Sequence, residues 1–395
     1  MKDEHPIRVL QVVDTLGMGG AETWLMEVLR LWSKTGACQL DFLVTSGQRG
    51  IFDDDAVELG AKIHYVPYTR AHLPRFAQEF RRLLRKGRYD AIHDHQDYAS
   101  GWHFFMGAGS LPPVRVTHVH NPAYQICNNY GVTLGRRVTA RLGKALVARY
   151  ASHIAGTSRQ VIGEYGFDAP VFSRIPKTTL HCGFDTARFL IDREPARAAI
   201  HQAFGWPQDA KIALFAGRID QSPDPDHPQT HKNVTFAVNV AIAAAKRDDR
   251  VRLLLAGTPS PAVLVLEKRI AEAGLAGRIV FAGIRRDIER LMVSSDVLLF
   301  PSRGEGLGMV AVEAQAAGLP VLASTAVPRE CMIIPELVRF RDLAAGPEAW
   351  ADDLLALASQ PRDGQTANRK VAASAFSITH STSAMLTLYS GGRLC

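Results

Sequence analysis

Two α/β domains, each a parallel sheet covered by helices on both faces, are the fold that this sequence predicts. The chain has 395 residues, more than one hydrophobic core usually organises. Short apolar runs alternate with amphipathic stretches along both halves, which is typical of strand–helix–strand units. We therefore predict doubly wound domains over residues 1–185 and 186–375, with residues 376–395 returning to the first domain as a helix. A ligand is expected in a central cleft that the two domains face.

The apolar runs predict the strands in chain order. In the first half they cover residues 8–13, 40–45, 62–66, 91–93, 114–120 and 153–156. In the second half they cover residues 212–216, 252–256, 279–282, 297–300 and 320–323. The polar stretch at 182–197 predicts the domain joint, and the proline-rich stretch at 220–231 predicts a loop.

Charge, cysteine content and the length of apolar runs limit the kinds of partner and the cellular compartment that we expect. A formal charge of +7 and a pI near 9.2 indicate attraction to an anionic partner, which charge alone does not identify. The five cysteines are scattered and odd in number: Cys38, Cys127, Cys182, Cys331 and Cys395. That spacing favours free thiols in a reducing compartment. The first residues lack the apolar segment of a signal peptide, and no apolar run is long enough for a membrane span, so the expected location is cytoplasmic.

A glycine-rich turn after the apolar run 297–300 is the most informative segment. Gly306 and Gly308 allow close approach of the backbone to a ligand, and the helix that follows adds its positive dipole end, so the turn can bind a diphosphate. Glu305 and Glu313 are eight residues apart, which on a helix is about 12 Å of rise. One carboxylate can then lie near sugar hydroxyls and the other near a ribose. The plainer alternative is a capping Glu305 and a solvated Glu313.

The turn does not stand alone. Gly-Gly-Ala-Glu at 19–22, Gly-Arg at 217–218, Lys-Asn at 232–233, Val-Phe-Ala-Gly at 280–283 and the E-x7-E block at 305–313 occur in this order. With them the chain resembles retaining glycosyltransferase family 4, which has the GT-B fold of two Rossmann-like domains. The resemblance implies that Glu305 contacts the donor sugar, Glu313 the ribose, and that Arg218 and Lys232 neutralise the diphosphate. It implies a donor-binding set of Gly19, Gly20, Gly217, Arg218, Lys232, Glu305, Gly306, Leu307, Gly308, Met309 and Glu313.

Histidines cluster at 93–95 and 118–120, at the predicted ends of strands. An H-x-H pair offers two rings on one face but forces no third ligand nearby, and the resemblance implies no catalytic metal. The family's active-site histidine corresponds to His120 or His118. We favour His120, which immediately precedes the loop at Asn121. Neither a metal nor another cofactor is expected.

The remaining features leave alternatives open. The D-x-D at 224–226 lacks the flanking strand of a metal-dependent site, so it is interpreted as a loop sequence that binds no metal. Basic stretches at 75–88 and 136–149 are either solvated helix faces or surfaces for peripheral docking on anionic lipid at the inner face of the membrane.

The sequence predicts a metal-independent, retaining transferase that moves a sugar from a UDP- or GDP-sugar to a glycan or lipid-linked acceptor, in cell-surface polysaccharide or glycolipid synthesis. A nucleotide-sugar epimerase of the same fold is the first alternative. A basic nucleic-acid-binding protein is the second, although no aromatic and basic platform accompanies the charge. An NAD-dependent enzyme fits less well, because no complete G-x-G-x-x-G with a later ribose-binding acid occurs.

Overall fold

The computed structural model describes residues 6–17, 19–123, 133–224, 227 and 230–391, apart from the side chain of Arg70. Two compact units divide the chain: Met1–Phe184 with Ile378–Cys395, and Asp185–Ser377. The predicted borders lie after residues 185 and 375. Cys38, Cys182 and Cys331 are buried free thiols, while Cys127 and Cys395 lie outside the described residues. None of the helices that the structure describes has the length and hydropathy of a membrane-spanning segment.

The first unit is built on a seven-stranded parallel sheet. Its strands are β1 Ile7–Val13, β2 Cys38–Val44, β3 Ile63–Tyr65, β4 Ala91–Asp94, β5 Val114–Val119, β6 His153–Gly156 and β7 Lys177–Thr179. They lie in the order β3-β2-β1-β4-β5-β6-β7. The helices of this unit are Gly20–Thr35, Asp53–Glu58, Leu73–Gly87, Ala99–Gly107, Leu134–Tyr150, Arg159–Glu164 and Ile378–Tyr389.

The second unit repeats this architecture with six parallel strands. They are β8 Lys211–Ala216, β9 Val251–Ala256, β10 Ile279–Gly283, β11 Val297–Phe300, β12 Val321–Ser324 and β13 Val338–Arg341. Their order is β10-β9-β8-β11-β12-β13. The helices are Arg193–Phe204, Val234–Arg247, Ala262–Glu272, Ile288–Ser294, Met309–Ala316, Gly346–Leu357 and Gly364–Ala372.

Both sheets have the strand order of the doubly wound fold, in which the chain starts in the middle and winds outward in two directions. The predicted fold class is confirmed. Two strands were missed, β7 and β13, and both lie at a sheet edge. Neither forms a continuous apolar run, because an edge strand is only partly covered. The strand predicted to reach His120 ends at Val119, so His120 begins the loop.

The helix Ile378–Tyr389 belongs to the first unit and is fixed there by polar contacts. The Trp24 indole donates to Ser381 Oγ at 2.9 Å, and this hydroxyl donates to the His181 carbonyl at 2.8 Å. Near the end of the helix, Tyr389 packs edge-on against Trp32, with ring centres 6.3 Å apart. The late segment therefore completes the core of the first unit.

In the second unit, one arginine caps two helices at once. The Arg362 guanidinium donates to the carbonyls of Met292, Val293, Ser295, Ala317 and Gly318. These carbonyls lie at the ends of the helices Ile288–Ser294 and Met309–Ala316, where the last four carbonyls of a helix lack partners within it. A positive charge at this position also complements both helix dipoles.

We expect Arg362→Ala to lower the free energy of unfolding by about 2–4 kcal/mol, because buried carbonyls lose their donors. The measurement is a guanidinium chloride titration that compares midpoints and slopes. Arg369→Ala is the matched control, since Arg369 is exposed and its one hydrogen bond within the described part of the chain goes to Thr366 Oγ1. Equal midpoints for the two variants would contradict the capping role.

Candidate active site

The predicted donor site lies where two neighbouring strands of the second unit end. The strands β8 and β11 pair directly, with Val297 opposite Ala213, and the sheet changes winding direction between them. In doubly wound sheets, ligands bind beyond the carboxyl ends of strands at this switch point. The backbone is crowded here: a Cβ added to Gly257, just after β9, would lie 1.8 Å from the Gly217 carbonyl oxygen. Gly257 is a glycine that the sequence analysis did not single out.

Lys232 and Glu305, which are 73 residues apart, meet at this edge. Lys232 Nζ lies 2.6 Å from Glu305 Oε1, and their side chains are 25% and 12% exposed. The ammonium is also 5.7 Å from the centre of the Phe300 ring. The structure thus brings together two residues that the sequence assigns to the diphosphate and to the sugar.

A buried carboxylate positions Lys232. Asp220 Oδ1 accepts from the backbone N–H groups of His231 and Lys232 at 2.9 and 3.0 Å, and Oδ2 accepts from Val234 N–H at 3.0 Å. Asp220 was assigned to a polar loop, yet it is only 5% exposed. An aspartate placed before a helix is a capping signal. The insertion obscured this signal because the first N–H group that Asp220 binds lies eleven positions later in the sequence.

Glycine forms the turn in front of the helix Met309–Ala316. Gly308 has a φ of 93°, and a Cβ there would come within 3.0 Å of both Phe300 and Val327, so a larger residue would be strained. No side chain caps this helix, whose first N–H groups point out of its start. Leu307 is buried and Met309 partly buried.

The helix begins at Met309, so Glu305 lies in the preceding loop. The predicted helical rise between Glu305 and Glu313 therefore does not apply over its first four residues. Glu313 is not a solvated helix residue: burial raises its pKa to about 7, against the opposing effect of Arg188. Arg218 is exposed and makes no hydrogen bond or ion pair with the described residues.

In the first unit, the two H-x-H motifs come together. Because β4 and β5 are parallel, with Asp94 opposite Thr117, alternate side chains of the two strands share one face. Ring nitrogens of His93, His95 and His118 lie within 4.8 Å of one another, and His95 Nδ1 lies 2.8 Å from His120 Nε2. A third imidazole therefore lies near the pair His93 and His95, although the H-x-H pattern of one strand does not by itself require one. Placing the two strands side by side would have revealed the cluster.

Hydrogen bonds already engage the rings that would have to bind a metal. Both nitrogens of His93 and both of His95 have hydrogen-bond partners. A bound ion would have to displace these partners to gain the three or four ligands that zinc requires. Of the D-x-D, only Asp224 is described.

The glycine loop after β1 is described in part, since Met18 lies outside the described residues. Gly19 precedes the helix Gly20–Thr35, and the Glu22 side chain occupies the space next to it, 2.0 Å from an added Cβ. A Cβ on Gly20 would meet no atom within 4 Å. The structure leaves this position open and gives no packing reason for its glycine.

Two Rossmann-like units of this topology define the class of protein, the GT-B fold. Among solved structures with this fold, Alr3699/HepE from Anabaena in complex with UDP has a TM-score of 0.75 and 17% identity, over 98% of this chain and 100% of that one.

Sequence comparison then gives the family. Residues 18–188 match Glycosyltransferase Family 4 and residues 210–360 match Glycosyl transferases group 1. EpsF of Bacillus subtilis (strain 168), named as a glycosyltransferase, is 28% identical over 90% of this chain and 88% of its own length. D-inositol 3-phosphate glycosyltransferase of Mycobacterium tuberculosis (strain F11) is 33% identical over 59% of this chain and 46% of its own. The chain is a glycosyltransferase of the family 4 type, and these matches favour it over the epimerase alternative.

The raised pKa of Glu313 predicts a stability that depends on pH. A carboxyl group that prefers its protonated form when folded contributes stability at low pH, which is lost as pH rises through the folded pKa of about 7. We expect Glu313→Gln to match the wild type near pH 5 and to be the more stable protein near pH 8. Urea midpoints at the two pH values measure this.

Glu336→Gln is the control for this experiment, since Glu336 is an exposed carboxylate of the same unit. Its midpoints should follow those of the wild type. If the Glu313→Gln midpoints also ran parallel to the wild type, the carboxyl group would titrate normally.

Proposed function

We propose that this glycosyltransferase takes its sugar from a nucleotide-diphosphate donor, a UDP- or GDP-sugar, and transfers it with retention and without a metal. The observation that carries the proposal is the Lys232–Glu305 pair of 2.6 Å in front of the uncapped helix Met309–Ala316. A sugar diphosphate needs a cation, a carboxylate and free backbone N–H groups. All three kinds of group occur here, beyond the ends of neighbouring strands.

The diphosphate is bound by positive charge. The helix start offers N–H groups and the positive end of its dipole, and Lys232 and Arg218 add two cations from the loop after β8. Charge develops on the departing nucleoside diphosphate, where fixed cations stabilise it in place of a metal. Alr3699/HepE, which shares the fold, has been solved with UDP-glucose, and this supports a UDP-sugar as the first donor to test.

The two carboxyl groups have separate roles. Glu305 is held by Lys232, so its carboxylate can orient sugar hydroxyls and favour the positive charge that builds on the ring. Glu313, four residues into the helix, hydrogen-bonds the ribose. The bond between the sugar and the diphosphate breaks, the acceptor oxygen bonds to the same face of that carbon, and the acceptor proton passes to the departing diphosphate.

The remaining predicted residues belong to the first unit. His120, with His118 as the second candidate, contacts the sugar, and Gly19 and Gly20 line the acceptor or phosphate pocket. The acceptor is a glycan or a lipid-linked glycan of cell-surface polysaccharide or glycolipid synthesis, met at the cytoplasmic face of the membrane.

We expect Lys232→Ala and Arg218→Ala each to lower kcat/KM by about two to three orders of magnitude, as the loss of a preorganised charge does at other active sites. The assay follows nucleoside diphosphate release from UDP- and GDP-sugars with acceptor and EDTA present. Lys268→Ala is the matched control, since Lys268 is 79% exposed and pairs only loosely with Glu272 at 3.9 Å.

Wild-type turnover by both variants would remove these cations from the site. Loss of all activity in EDTA, restored by a divalent ion, would instead overturn metal independence and leave the donor assignment standing.

Contact with the membrane is proposed for one of the two basic helices. Leu73–Gly87 buries its apolar residues Phe76, Phe80 and Leu84 inside the unit, so its cations form a solvated face. Leu134–Tyr150 differs, because it buries only Gly143 and Val147.

The apolar stripe of this second helix faces outward. Leu134, Val138 and Leu142 are 80%, 48% and 48% exposed and recur every four residues, which places them on one helix face. Arg137 and Arg141, both exposed, flank them. An exposed apolar face beside arginines complements an anionic bilayer surface, into which the stripe inserts.

We expect the triple variant Leu134→Ser, Val138→Ser and Leu142→Ser to bind phosphatidylglycerol vesicles at least about tenfold more weakly, since each apolar side chain contributes on the order of 1 kcal/mol when buried. Co-sedimentation measures the binding. The double variant Leu264→Ser and Val265→Ser is the control, because these residues are 74% and 48% exposed on another helix. Unchanged binding by the triple variant would contradict the proposal.

A further inference from the structure

Six side chains of the first unit form one unbroken hydrogen-bonded chain. In order they are His118, His93, Tyr389, Gln11, His95 and His120. The five contacts measure 3.1, 2.6, 3.0, 2.8 and 2.8 Å. The chain links β1, β4, β5 and the helix Ile378–Tyr389, and its final member is the predicted active-site histidine.

Burial favours the neutral form of every imidazole in the chain. Burial lowers the pKa of His93, His95 and His118 well below the usual value, and it lowers the pKa of His120 to about 3. A neutral imidazole has one N–H donor and one bare nitrogen acceptor. Since each contact needs one donor and one acceptor, the direction of any contact determines the direction of the next.

The Gln11 amide sets the direction of the contacts, because its Nε2 can only donate and its Oε1 can only accept. Gln11 Nε2 donates to the Tyr389 hydroxyl at 3.0 Å. The hydroxyl therefore has its own proton to donate to His93 Nδ1. His93 then carries its ring proton on Nε2 and donates it to His118 Nδ1.

The same amide sets the direction of the second half. Because Gln11 Oε1 can only accept, the 2.8 Å contact with His95 Nε2 requires the ring proton of His95 on Nε2. His95 Nδ1 is left bare, and it accepts from His120 Nε2–H.

We propose that Tyr389 and Gln11 are positioning residues that fix the tautomer of His120, with the proton on Nε2 and the lone pair on Nδ1. His120 Nδ1 has no hydrogen-bond partner among the described residues. It therefore presents an acceptor for a hydroxyl group, which is the group that a sugar substrate offers. This inference rests on the proposed function, in which His120 contacts the sugar.

The reversed tautomer would do different chemistry. With the proton on Nδ1, His120 would donate to the sugar oxygen and could not accept the hydroxyl proton. A helix contributed by residues 378–389 thus selects which hydrogen bond the sugar can make, although none of its atoms has to touch the substrate.

The first test reads the tautomer directly. Nitrogen-15 NMR of histidine side chains in the full chain distinguishes protonated from bare ring nitrogens, and His120→Gln assigns the signals of His120. We expect Nε2–H and bare Nδ1 in the wild type. Protonation on Nδ1, or one equivalent of metal bound to these rings in the purified protein, would overturn the inference. This measurement needs no substrate, so its outcome is independent of whether transfer from a UDP- or GDP-sugar is found.

The second test removes the hydroxyl that joins His93 to Gln11. Tyr389→Phe takes away the hydroxyl that fixes the Gln11 amide, so we expect both tautomers of His120 to appear. The value of kcat should fall about two- to tenfold, in proportion to the lost Nε2–H fraction, while the donor KM changes little.

Ser381→Ala is the matched control for this variant. It loosens the same helix by removing contacts to Trp24 and the His181 carbonyl but leaves the chain intact, so the tautomer should stay as in the wild type. A lower kcat in Tyr389→Phe with an unchanged tautomer would show that Tyr389 acts only through stability.

Discussion

Parallel pairing is the constraint from which the rest of this molecule follows. Every paired strand in both sheets runs in the same direction as its neighbours. The carboxyl ends of all strands in a sheet therefore lie at the same edge. Crossover helices cover both faces, which leaves that edge as the place where polar groups can collect. Lys232 and Glu305 meet there in the second unit, and the four histidines do so in the first. Residues distant in sequence become neighbours because the strands that precede them are neighbours.

Buried polar side chains hold these groups in place. Asp220 binds three backbone N–H groups and so fixes the start of the helix Val234–Arg247 relative to β8. A buried carboxylate is stable only when its oxygens are satisfied, and here the acceptors and donors match. Gln11 also holds functional groups in place in the first unit, where its amide nitrogen bonds to Tyr389 and its amide oxygen to His95. The precision of both sites comes from residues that would never touch a substrate.

The sequence predicts what depends on local pattern. Apolar runs located the central strands to within about two residues, and the glycine turn before Met309 was recognisable because few residues other than glycine adopt its backbone. Edge strands such as β13 were not predicted, since a partly exposed strand has no continuous apolar run. The hydrogen bond between Asp220 and the Lys232 N–H group was not predicted because the insertion between them hides the capping pattern. The histidine cluster needed the order of the strands, which no single segment contains.

The return of Ile378–Tyr389 to the first unit has a consequence for synthesis of the protein. Translation adds about 5–20 residues per second, so Asp185–Ser377 takes on the order of ten to forty seconds to emerge. Throughout that interval the nascent first unit lacks Tyr389 and Ser381, and the pocket beside Trp24 and Trp32 stays open. The second unit receives its last helix, Gly364–Ala372, only shortly before Ile378–Tyr389 emerges. The first unit is therefore translated first but is not completed first, and its unfinished apolar surface is the part of the growing chain that a chaperone would meet.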